Sequence, residues 1–490
     1  MSTQANPTRV LVLGCGSVAQ CVIPLLIRDL KIATSSITIV DFVDNRHRVA
    51  DAIKQGVKYE IGQVTRENLD SFLAERLAAG DILLDLAWNI DCPTILEWCR
   101  MRGVRYLNTS VELWDPYYDM AKTHPLDRTL YVRHQSIRKM VAKWGSNKGP
   151  SAVVEHGANP GLVSHFAKQA LFEISNKILN DGRAGSRQSA IESALASESF
   201  DRLAMLTGTR VIHISERDTQ ITNQPKEVNE FVNTWSVEGF YEEGVAPAEM
   251  GWGTHERWMP ANAQVHADDG PCNQICLAQP GMETWVRSWV PSGEILGMII
   301  RHGESYTMSN HLTVRDDSGK AIYRPTVHYS YCPSNEAINS VLELRMRNWQ
   351  KQPKERIMNN EIISGRDELG VLLLGHDYTG WWTGTRLSID EARSIVDGQS
   401  ATTLQVAGSV VAAVKWMISS PNEGVCVPDD LPWKSVLADA RPYIGEIHSA
   451  PTDRDPLKTR NDLFPGFGNT GRLDTTDPWQ FRNFLTPTPS

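Results

Sequence analysis

The sequence predicts an α/β fold in which a doubly wound parallel sheet is joined to a mixed α+β domain. Two observations predict it. Buried apolar runs alternate with helical patterns over about the first 110 residues, which is typical of a parallel sheet built from βα units. From about residue 190 to 395, strand-like pieces occur among many Gly, Pro and Trp, which favours a largely antiparallel sheet. A chain of 490 residues has room for two or three domains.

The first apolar run, Val10 to Leu13, leads directly into a glycine-rich loop. Gly14 permits a tight turn, Gly16 lets a pyrophosphate approach the backbone, and Ala19 keeps the next helix close to the strand. The first N–H groups of that helix point toward bound phosphates. The pattern predicts a Rossmann dinucleotide site, with an ordinary βα turn as the alternative. The loop residues expected to contact the cofactor are Gly14, Gly16, Ser17 and Val18.

A second strand, Ile37 to Val40, ends on Asp41. A carboxylate at this spacing accepts hydrogen bonds from the adenosine ribose hydroxyls and repels a 2′-phosphate. NAD is therefore the expected cofactor. Arg46 and Arg48 follow closely and are able to attract a 2′-phosphate, so NADP stays open as the alternative.

The alternation then continues through six more segments. They are a helix over 45–55, a strand over 58–61, a helix from Thr65 through Leu77, a strand over 81–87, and a helix over about 93–102 before a strand over 104–108. The carboxyl ends of such strands face the ligand crevice. Asn89 and Thr109, which follow two of them, are therefore expected on the cofactor side.

One more strand, over 152–156, is predicted to deliver the turn Gly157 to Gly161. Asn159 in this turn offers a donor and an acceptor above a helix N-terminus, and a plain helix cap is the alternative. The Gly- and Pro-containing linker over 144–150 suggests a domain boundary. The predicted domains are a nucleotide-binding domain over 1–147, a substrate and dimerisation domain over 148–395, and a segment over 396–490 that returns toward the first domain.

Composition argues against several classes of partner. The net charge is −9 and no basic run is present, so neither nucleic acid nor an anionic membrane is an expected partner. No apolar run approaches the length of a membrane span, and the N-terminus has no signal-peptide pattern. Eight scattered cysteines are typical of reduced thiols in a cytoplasmic protein, and their spacing predicts no metal site.

The central region places carboxylates beside aromatic residues. Trp235 and Glu238 stand close together, Glu216 follows a predicted strand, and a further segment carries His302 and Glu304. A tryptophan face attracts an alkylammonium group by cation–π interaction, and carboxylates bind the other ammonium of a diamine. The alternative for each of these residues is an ordinary one, since most tryptophans are core residues and most Glu–Arg neighbours are surface pairs.

The chain resembles the bacterial homospermidine synthases, which lie within the saccharopine-dehydrogenase-like group. The resemblance extends from residue 14 to residue 483. The matching segments are GCGSVAQ, NTSVELW, GANPGLVS, HISERDTQ, FVNTWSVEGF, GWGTHERWMP, VRSW, HGES, YRPTVHY, DELGVLL and DTTDPWQFRN. The resemblance implies a redox-neutral enzyme that joins two putrescines into homospermidine and releases ammonia, with NAD taking a hydride and returning it. It also suggests a homodimer.

The resemblance also implies roles for particular residues. Trp235 would hold the cationic substrate, Glu216 the distal ammonium, and Glu112 a second amine. Asn159 would contact both nicotinamide and the reacting amine, and His302 with Glu304 would position that amine or move protons. Asn89 stands where a relative carries Asp, so the resemblance supports no ammonium-binding role for it, and it is expected on the cofactor side only.

Two alternative functions remain open at this point. One is a net NAD(P)-dependent oxidoreductase of the saccharopine or carboxynorspermidine type, which needs an Arg to bind a substrate carboxylate where this chain offers Glu216 and Trp235. The other is a non-catalytic polyamine- or NAD-binding protein, which has no need of Glu112, Asn159 and Trp235 together. Whether spermidine or diaminopropane replaces putrescine is also open.

Overall fold

The computed structural model describes residues 8–116, 122–267, 270–458, 460 and 472–487. It divides the chain into two compact units. The first unit comprises Met1–Met120, Arg133–Leu162 and Ile389–Ile444, and the second comprises Ala121–Val132, Val163–Ser388 and Gly445–Ser490.

The first unit contains a seven-stranded sheet in which every neighbouring pair is parallel. Its strands are, in spatial order, Glu423–Cys426, Gly149–Val153, Arg105–Asn108, Ile82–Asp85, Val10–Leu13, Ile37–Asp41 and Lys58–Ile61. Val10–Leu13 and Ile82–Asp85 lie side by side, and from each of them the strands follow in chain order toward opposite edges of the sheet. The direction of the strand order therefore reverses between these two strands. This reversal is the topological switch point of a doubly wound fold, where such sheets bind their ligands. The predicted fold class is confirmed.

The helices of the first unit begin and end where the local sequence favours it. Asp91 caps Cys92–Arg102 by accepting the Thr94 N–H at 3.0 Å, and Gly103 ends that helix with a φ of +71°. The other helices that lie wholly in this unit are Ser17–Arg28, Ala50–Lys54, Leu69–Ala74, Ile389–Ile395, Ala401–Ser419 and Trp433–Ile444, with 3₁₀ turns at Thr34–Ser36, Arg46–Val49 and Pro428–Asp430. Two helices, Leu130–Lys143 and Leu162–Asn180, contain points at which the two units divide.

Two predicted elements differ from the structure. The helix expected from Thr65 begins only at Leu69 and ends at Ala74, because Thr65 and Asn68 first form a turn: the Thr65 N–H donates to Asn68 Oδ1 at 2.8 Å. The strand expected over 152–156 lies at Gly149–Val153. It ends early because Glu155 has a φ of +59°, which is incompatible with an extended strand.

The second unit is organised around an eleven-stranded mixed sheet. All but one of its strand pairs are antiparallel; the exception joins Val211–Asp218 to Thr326–Cys332. The main path runs Ala263–Val265, Gln274–Pro280, Pro247–Gly251, Thr326–Cys332, Val211–Asp218, Arg366–Leu374, Gly380–Ser388 and Ile447–Thr452, and the strands Gly293–Met298, Trp285–Val290 and Leu485–Thr486 attach beside it.

Short elements complete this unit. Its remaining strands are Ile221–Thr222, Glu230–Asn233, Val314–Arg315, Ala321–Tyr323, Lys354–Ile357 and Ile362–Ser364. Its helices include Gln188–Ala196, Phe200–Thr207, Val237–Val245, Glu304–His311 and Asn335–Met346, with 3₁₀ turns at Pro125–Arg128, Gly185–Arg187, Gly281–Glu283 and Phe481–Asn483. The mixed, largely antiparallel sheet expected for this region is present.

The division into units differs from the boundary predicted over 144–150. The strand Gly149–Val153 pairs in parallel with Arg105–Asn108, so the linker joins two parts of one sheet rather than two domains. The C-terminal part also divides. Ile389–Ile444 lies in the first unit and adds the edge strand Glu423–Cys426, whereas Gly445–Ser490 lies in the second unit.

One helix of the described chain, Ala401–Ser419, is long and apolar enough by length and composition to cross a membrane. Its apolar window is 78% buried within the protein, which is typical of a core helix. Ser400 caps its start by accepting the Thr403 N–H at 3.1 Å, and the helix packs against Ser17–Arg28.

Candidate active site

The glycine loop of the first unit lies at the switch point of the parallel sheet. Gly14 has a φ of +84°, and a Cβ there would lie 2.8 Å from the carbonyl oxygen of Leu86 at the end of the neighbouring strand. Gly14 is therefore required by the protein's own packing. Gly16 differs, because a Cβ at this position would meet no atom within 4 Å. Gly16 is also the N-cap of the helix Ser17–Arg28, and no side chain caps the N–H groups of that first turn.

Asp41 ends the second strand and reaches back to the loop. Its Oδ2 accepts the backbone N–H of Cys15 at 2.6 Å, and its Oδ1 accepts that of Val43 at 2.9 Å. The carboxylate therefore fixes the shape of the glycine loop, a role that its sequence position did not predict. Arg46, which was weighed as a 2′-phosphate ligand, is bound by Asp44 at 2.6 Å.

Three further predicted residues follow strands of the same sheet. Asn89 has a φ of +61°, and its side-chain oxygen accepts the N–H of Asp115. Thr109 lies beside the turn that carries Asn159, since a Cβ at Gly157 would come within 3.7 Å of the Thr109 Cβ. Because carboxyl ends of parallel strands meet at one edge, the structure places Asn89, Thr109 and Asn159 at the edge that also carries the glycine loop.

The Asn159 turn, Gly157–Gly161, has a compact backbone. The Gly157 N–H donates to the carbonyl of Pro160 at 2.6 Å, and the Leu162 N–H donates back to Gly157 at 3.0 Å. A Cβ at Gly161 would overlap the Gly157 carbonyl oxygen, at 1.8 Å, and the φ of Gly161 is +134°. The turn therefore depends on Gly161, and it holds the Asn159 side chain at the sheet edge.

Glu112 is buried near the same edge. Its Oε1 accepts the hydroxyl of Ser110 at 2.6 Å. The loop that carries it is supported by Glu155, whose carboxylate accepts the N–H of Val111 at 3.3 Å and lies 2.8 Å from Nε2 of His134. Both partners of this buried pair, Glu155 and His134, were missed from the sequence, because their proximity depends on the register of the sheet and one helix.

In the second unit, Glu216 lies on a strongly acidic face of the mixed sheet. Side chains alternate along a strand, so Glu216 and Asp218 in the strand Val211–Asp218 point to the same side. Asp367 pairs with Asp218 in the neighbouring strand. All three carboxylates are buried. We call Glu216, Asp218, Asp367, Tyr329 and Tyr331 the acidic face.

Two tyrosines of the parallel neighbour strand connect this face to the other predicted residues. The Tyr329 hydroxyl donates to Oε2 of Glu216, and the Tyr331 hydroxyl accepts the indole N–H of Trp235 at 2.9 Å. The two tyrosine rings stack, with centroids 5.4 Å apart. His302 contacts the edge of Tyr329 at 4.3 Å between centroids. Glu216, Trp235 and His302 are therefore gathered in one cluster.

Burial of these acidic groups shifts their ionisation. The pKa of Asp218 is raised to about 6, mainly because the carboxyl is buried and also because the Glu336 carboxylate is near. The hydroxyl of Thr234 at 2.6 Å and the N–H of Gln220 at 2.8 Å partly offset this rise by donating to Asp218. Burial and the nearby carboxylates raise the pKa of Tyr331 well above its ordinary value, so its hydroxyl stays protonated. A cation entering this face would offset the cost of the buried charges.

His302 and Glu304 lie where a turn leads into the helix Glu304–His311. Nε2 of His302 lies 3.7 Å from Glu243, and Glu304 begins the helix Glu304–His311 and is fully buried. Arg301, next to His302, forms a buried ion pair with Glu242. Glu242 and Glu243 both belong to the helix Val237–Val245, which begins two residues after Trp235. This helix therefore holds the Trp235 segment and the His302 turn in a fixed relation.

Glu238 is engaged elsewhere. It lies in the first turn of the same helix, and its carboxylate is bound by the ammonium of Lys351. Lys351 also binds Glu355 at 2.6 Å. A direct role for Glu238 in substrate binding, expected from its closeness to Trp235 in sequence, competes with this ion pair.

Family models match both parts of the chain. The Saccharopine dehydrogenase NADP binding domain matches residues 10–153, and the Saccharopine dehydrogenase C-terminal domain matches residues 157–452. The chain is 40% identical to the homospermidine synthase of Blastochloris viridis over 481 residues, which is 97% of each chain. The chain belongs to the homospermidine synthases. It is also 38% identical to the homospermidine synthase of Mesorhizobium japonicum, covering 97% of this chain and 96% of that relative.

A solved homospermidine synthase is similar over nearly its full length. The crystal structure of the Legionella pneumophila homospermidine synthase, determined in complex with NAD, has a TM-score of 0.85 to this chain with 36% identity. The match covers 98% of this chain and 97% of that one. The family resemblance expected from the sequence motifs is confirmed.

Sequence reasoning missed residues of the acidic face that lie around Glu216 and Trp235. Tyr329, Tyr331 and Asp367 are the main ones in the second unit. One signal was available, since YRPTVHY and DELGVLL were among the matching motifs and contain or adjoin these positions. Nothing local in those motifs indicates that their side chains lie opposite Glu216 and Asp218.

Proposed function

We propose that this chain is an NAD-dependent homospermidine synthase that joins two putrescines and releases ammonia. The observation that carries this proposal is the acidic face of the second unit, where buried carboxylates lie beside the Trp235 ring. Putrescine is a flexible chain with an ammonium at each end. Carboxylates bind the ammonium groups by charge-assisted hydrogen bonds, and the indole face binds a cation without a negative charge of its own.

The first unit fits NAD as its cofactor. Gly16, where a side chain would meet no protein atom, leaves room for a pyrophosphate above the uncapped helix Ser17–Arg28. Asp41 suits the ribose hydroxyls and disfavours a 2′-phosphate, while Arg46 is already bound to Asp44. Val18, Asn89, Thr109 and Asn159 complete the proposed cofactor contacts. When bound, NAD supplies reversible hydride transfer at the carbon that bears the reacting amine of putrescine.

The residues of the second unit bind and orient the diamine. Glu216 takes the distal ammonium and is oriented by the hydroxyl of Tyr329. Trp235 is positioned by its hydrogen bond to Tyr331, with its ring against Phe240 at 5.6 Å between centroids. The indole face then stabilises the positive charge of the ammonium or iminium group. From the family motifs NTSVELW and GANPGLVS, Glu112 is proposed to bind an amine and Asn159 to contact the nicotinamide and an amine nitrogen.

Proton transfer is assigned to the His302 turn. An amine must lose its proton before a hydride leaves the adjoining carbon, so the site needs a proton acceptor. Imidazole is the side chain whose ordinary pKa lies nearest neutral pH. His302, together with the buried Glu304, is the proposed acceptor, and Tyr329 connects it to Glu216.

A turnover experiment tests the proposal. The full-length protein is incubated with putrescine and less than one equivalent of NAD, and homospermidine, ammonia and absorbance at the NADH band are followed together. Many homospermidines per NAD without lasting NADH support the proposal. NADH accumulating in step with putrescine loss supports the net oxidoreductase instead, and binding without any turnover supports a non-catalytic protein.

Two finer features belong to the same proposal. A homodimer is expected from the family, and light scattering in solution measures it directly. Spermidine and diaminopropane are expected to enter the acidic face because each carries the terminal ammonium that Glu216 binds. Competition with putrescine turnover measures their relative rates.

A further inference from the structure

A cavity of about 330 Å³ lies in the second unit, away from the acidic face. It is lined by residues at the starts of two sheet strands: Arg210 directly precedes Val211–Asp218, and Arg324 precedes Thr326–Cys332 by two positions. Glu216 is six residues farther along the first of these strands than Arg210, which corresponds to roughly 20 Å. The cavity is therefore separate from the residues assigned to putrescine.

Arg324 is a buried cation whose contacts are all neutral. It is 8% exposed. Its guanidinium donates to Thr313 Oγ1 at 3.2 Å and to the carbonyls of Trp252 and Cys272 at 3.3 and 3.4 Å. Within the described part of the chain, no carboxylate lies within ion-pair distance of Arg324, and burial with the nearby Arg315 lowers its pKa to about 10. A buried cation held only by neutral oxygens leaves an electrostatic demand for an anion.

Arg210 and Arg257 also line this cavity, and their guanidinium groups share one carboxylate. Asp477 Oδ2 lies 2.8 Å from Arg210 and 3.1 Å from Arg257. Asp474, which does not line the cavity, approaches Arg257 only to 3.9 Å. About half of each of these two arginine side chains remains exposed, so their remaining N–H groups are accessible from solvent.

The lining therefore carries an excess of positive charge. Among the described lining residues there are three arginines and one aspartate. His255 adds no charge at neutral pH, because burial lowers its pKa to about 4. The chain as a whole has a net charge of −9, so this basic cavity runs against the overall charge of the protein.

We propose that this cavity binds a small oxyanion, a carboxylate or phosphate compound, through Arg210, Arg257 and Arg324. Guanidinium groups present paired N–H donors that match the oxygens of both groups. The volume lies at the lower end of the range for small-molecule sites, which suits a ligand of few atoms rather than a dinucleotide. The ligand would pair the otherwise unmatched charge of Arg324 and join the loop around Arg257 to the sheet.

Calorimetric titration of the full-length protein tests this site. Sodium phosphate and sodium citrate are titrated separately into NAD-saturated protein, so that the nucleotide site does not contribute, and sodium chloride at equal ionic strength provides the blank. Saturable binding of at least one probe is expected, and the two probes distinguish a phosphate from a carboxylate ligand. Arg257→Ala and Arg210→Ala should each weaken binding about tenfold, which is the usual effect of losing one charge-assisted contact.

Arg345→Ala is the matched control, because Arg345 is similarly exposed at 52% and is paired with Glu283 on another element. It should bind the probe as the wild type does. Putrescine turnover should be unchanged in Arg257→Ala, which shows that the variant is folded. No saturable binding of either probe by the wild type, or equal affinity in the wild type and both cavity variants, would overturn the proposal.

Discussion

Replacing Trp235 separates its hydrogen bond to Tyr331 from its proposed role in binding a cation. The indole N–H donates to the Tyr331 hydroxyl at 2.9 Å, and the aromatic face is proposed to hold the substrate cation. Trp235→Phe keeps an aromatic face and removes the hydrogen bond. Trp235→Ala removes both. The ratio between the two variants therefore measures the contribution of the ring itself.

The expected sizes follow from these contacts. Loss of one neutral hydrogen bond costs about 1 kcal/mol, which lowers kcat/KM for putrescine about fivefold in Trp235→Phe. Loss of the cation–π interaction adds roughly 0.5–2 kcal/mol, so Trp235→Ala should lose about tenfold to 150-fold. Tyr331→Phe should resemble Trp235→Phe. The double variant of these two should lose no more than either alone, because both remove the same hydrogen bond.

The measurement is homospermidine formation at several putrescine concentrations, with NAD saturating. Thermal unfolding of each variant controls for packing, since the Trp235 ring also lies against Phe240. Equal losses for the Phe and Ala variants would refute the cation–π reasoning. A double variant whose losses simply add would refute the hydrogen bond between Trp235 and Tyr331 as the shared cause.

Three other predictions concern single carboxylates. Asp41→Asn should raise the Kd for NAD about tenfold and reduce the preference for NAD over NADP, because the carboxylate both orders the glycine loop and repels a 2′-phosphate. Fluorescence titration with each cofactor measures both effects. Glu216→Gln keeps an acceptor for the Tyr329 hydroxyl but removes the negative charge. The KM for putrescine should therefore rise tenfold or more, with little change in Tm. An unchanged KM would argue against Glu216 as the ammonium ligand. Glu256 is buried, which raises its pKa to about 7 from 4.5. The stabilisation linked to its protonated form is present below pH 4.5 and is lost as pH rises through 7. Over this interval the free energy of unfolding of the wild type, measured in urea, should fall by up to ~3 kcal/mol relative to that of Glu256→Gln. Parallel curves of unfolding free energy against pH for the two proteins would contradict this.

Local pattern predicted the first unit well where a strand and its loop are contiguous. The strands Val10–Leu13 and Ile37–Asp41 lie where the apolar runs indicated, and the short strand Lys58–Ile61 lies where it was predicted. The boundary predicted over 144–150 rests partly on a Gly–Pro pair, which marks a turn in most contexts but here begins a strand of the parallel sheet. Strand pairing, and not local propensity, decided that boundary.

In the second unit, by contrast, local pattern predicted candidate residues but not the contacts between them. Glu216, Trp235 and His302 were predicted from their residue types and from family motifs, but the contacts that join them were not. Tyr329 and Tyr331 bring them together, and those tyrosines face Glu216 only because of the register between two parallel strands. A shift of one residue would turn both hydroxyls to the other face of the sheet.

By itself the sequence determined the fold class, the glycine loop, the position of Asp41 and membership of the homospermidine synthases, because each depends on residues that are adjacent in the chain or on whole motifs. Only the tertiary structure decided that Asp41 holds the loop through Cys15, that Glu238 is bound to Lys351, and that Asp218 and Asp367 extend the acidic face. Hydrogen bonds and electrostatic interactions act over a few ångströms in space. Separation along the chain therefore carries little information about them until strand order and register are known.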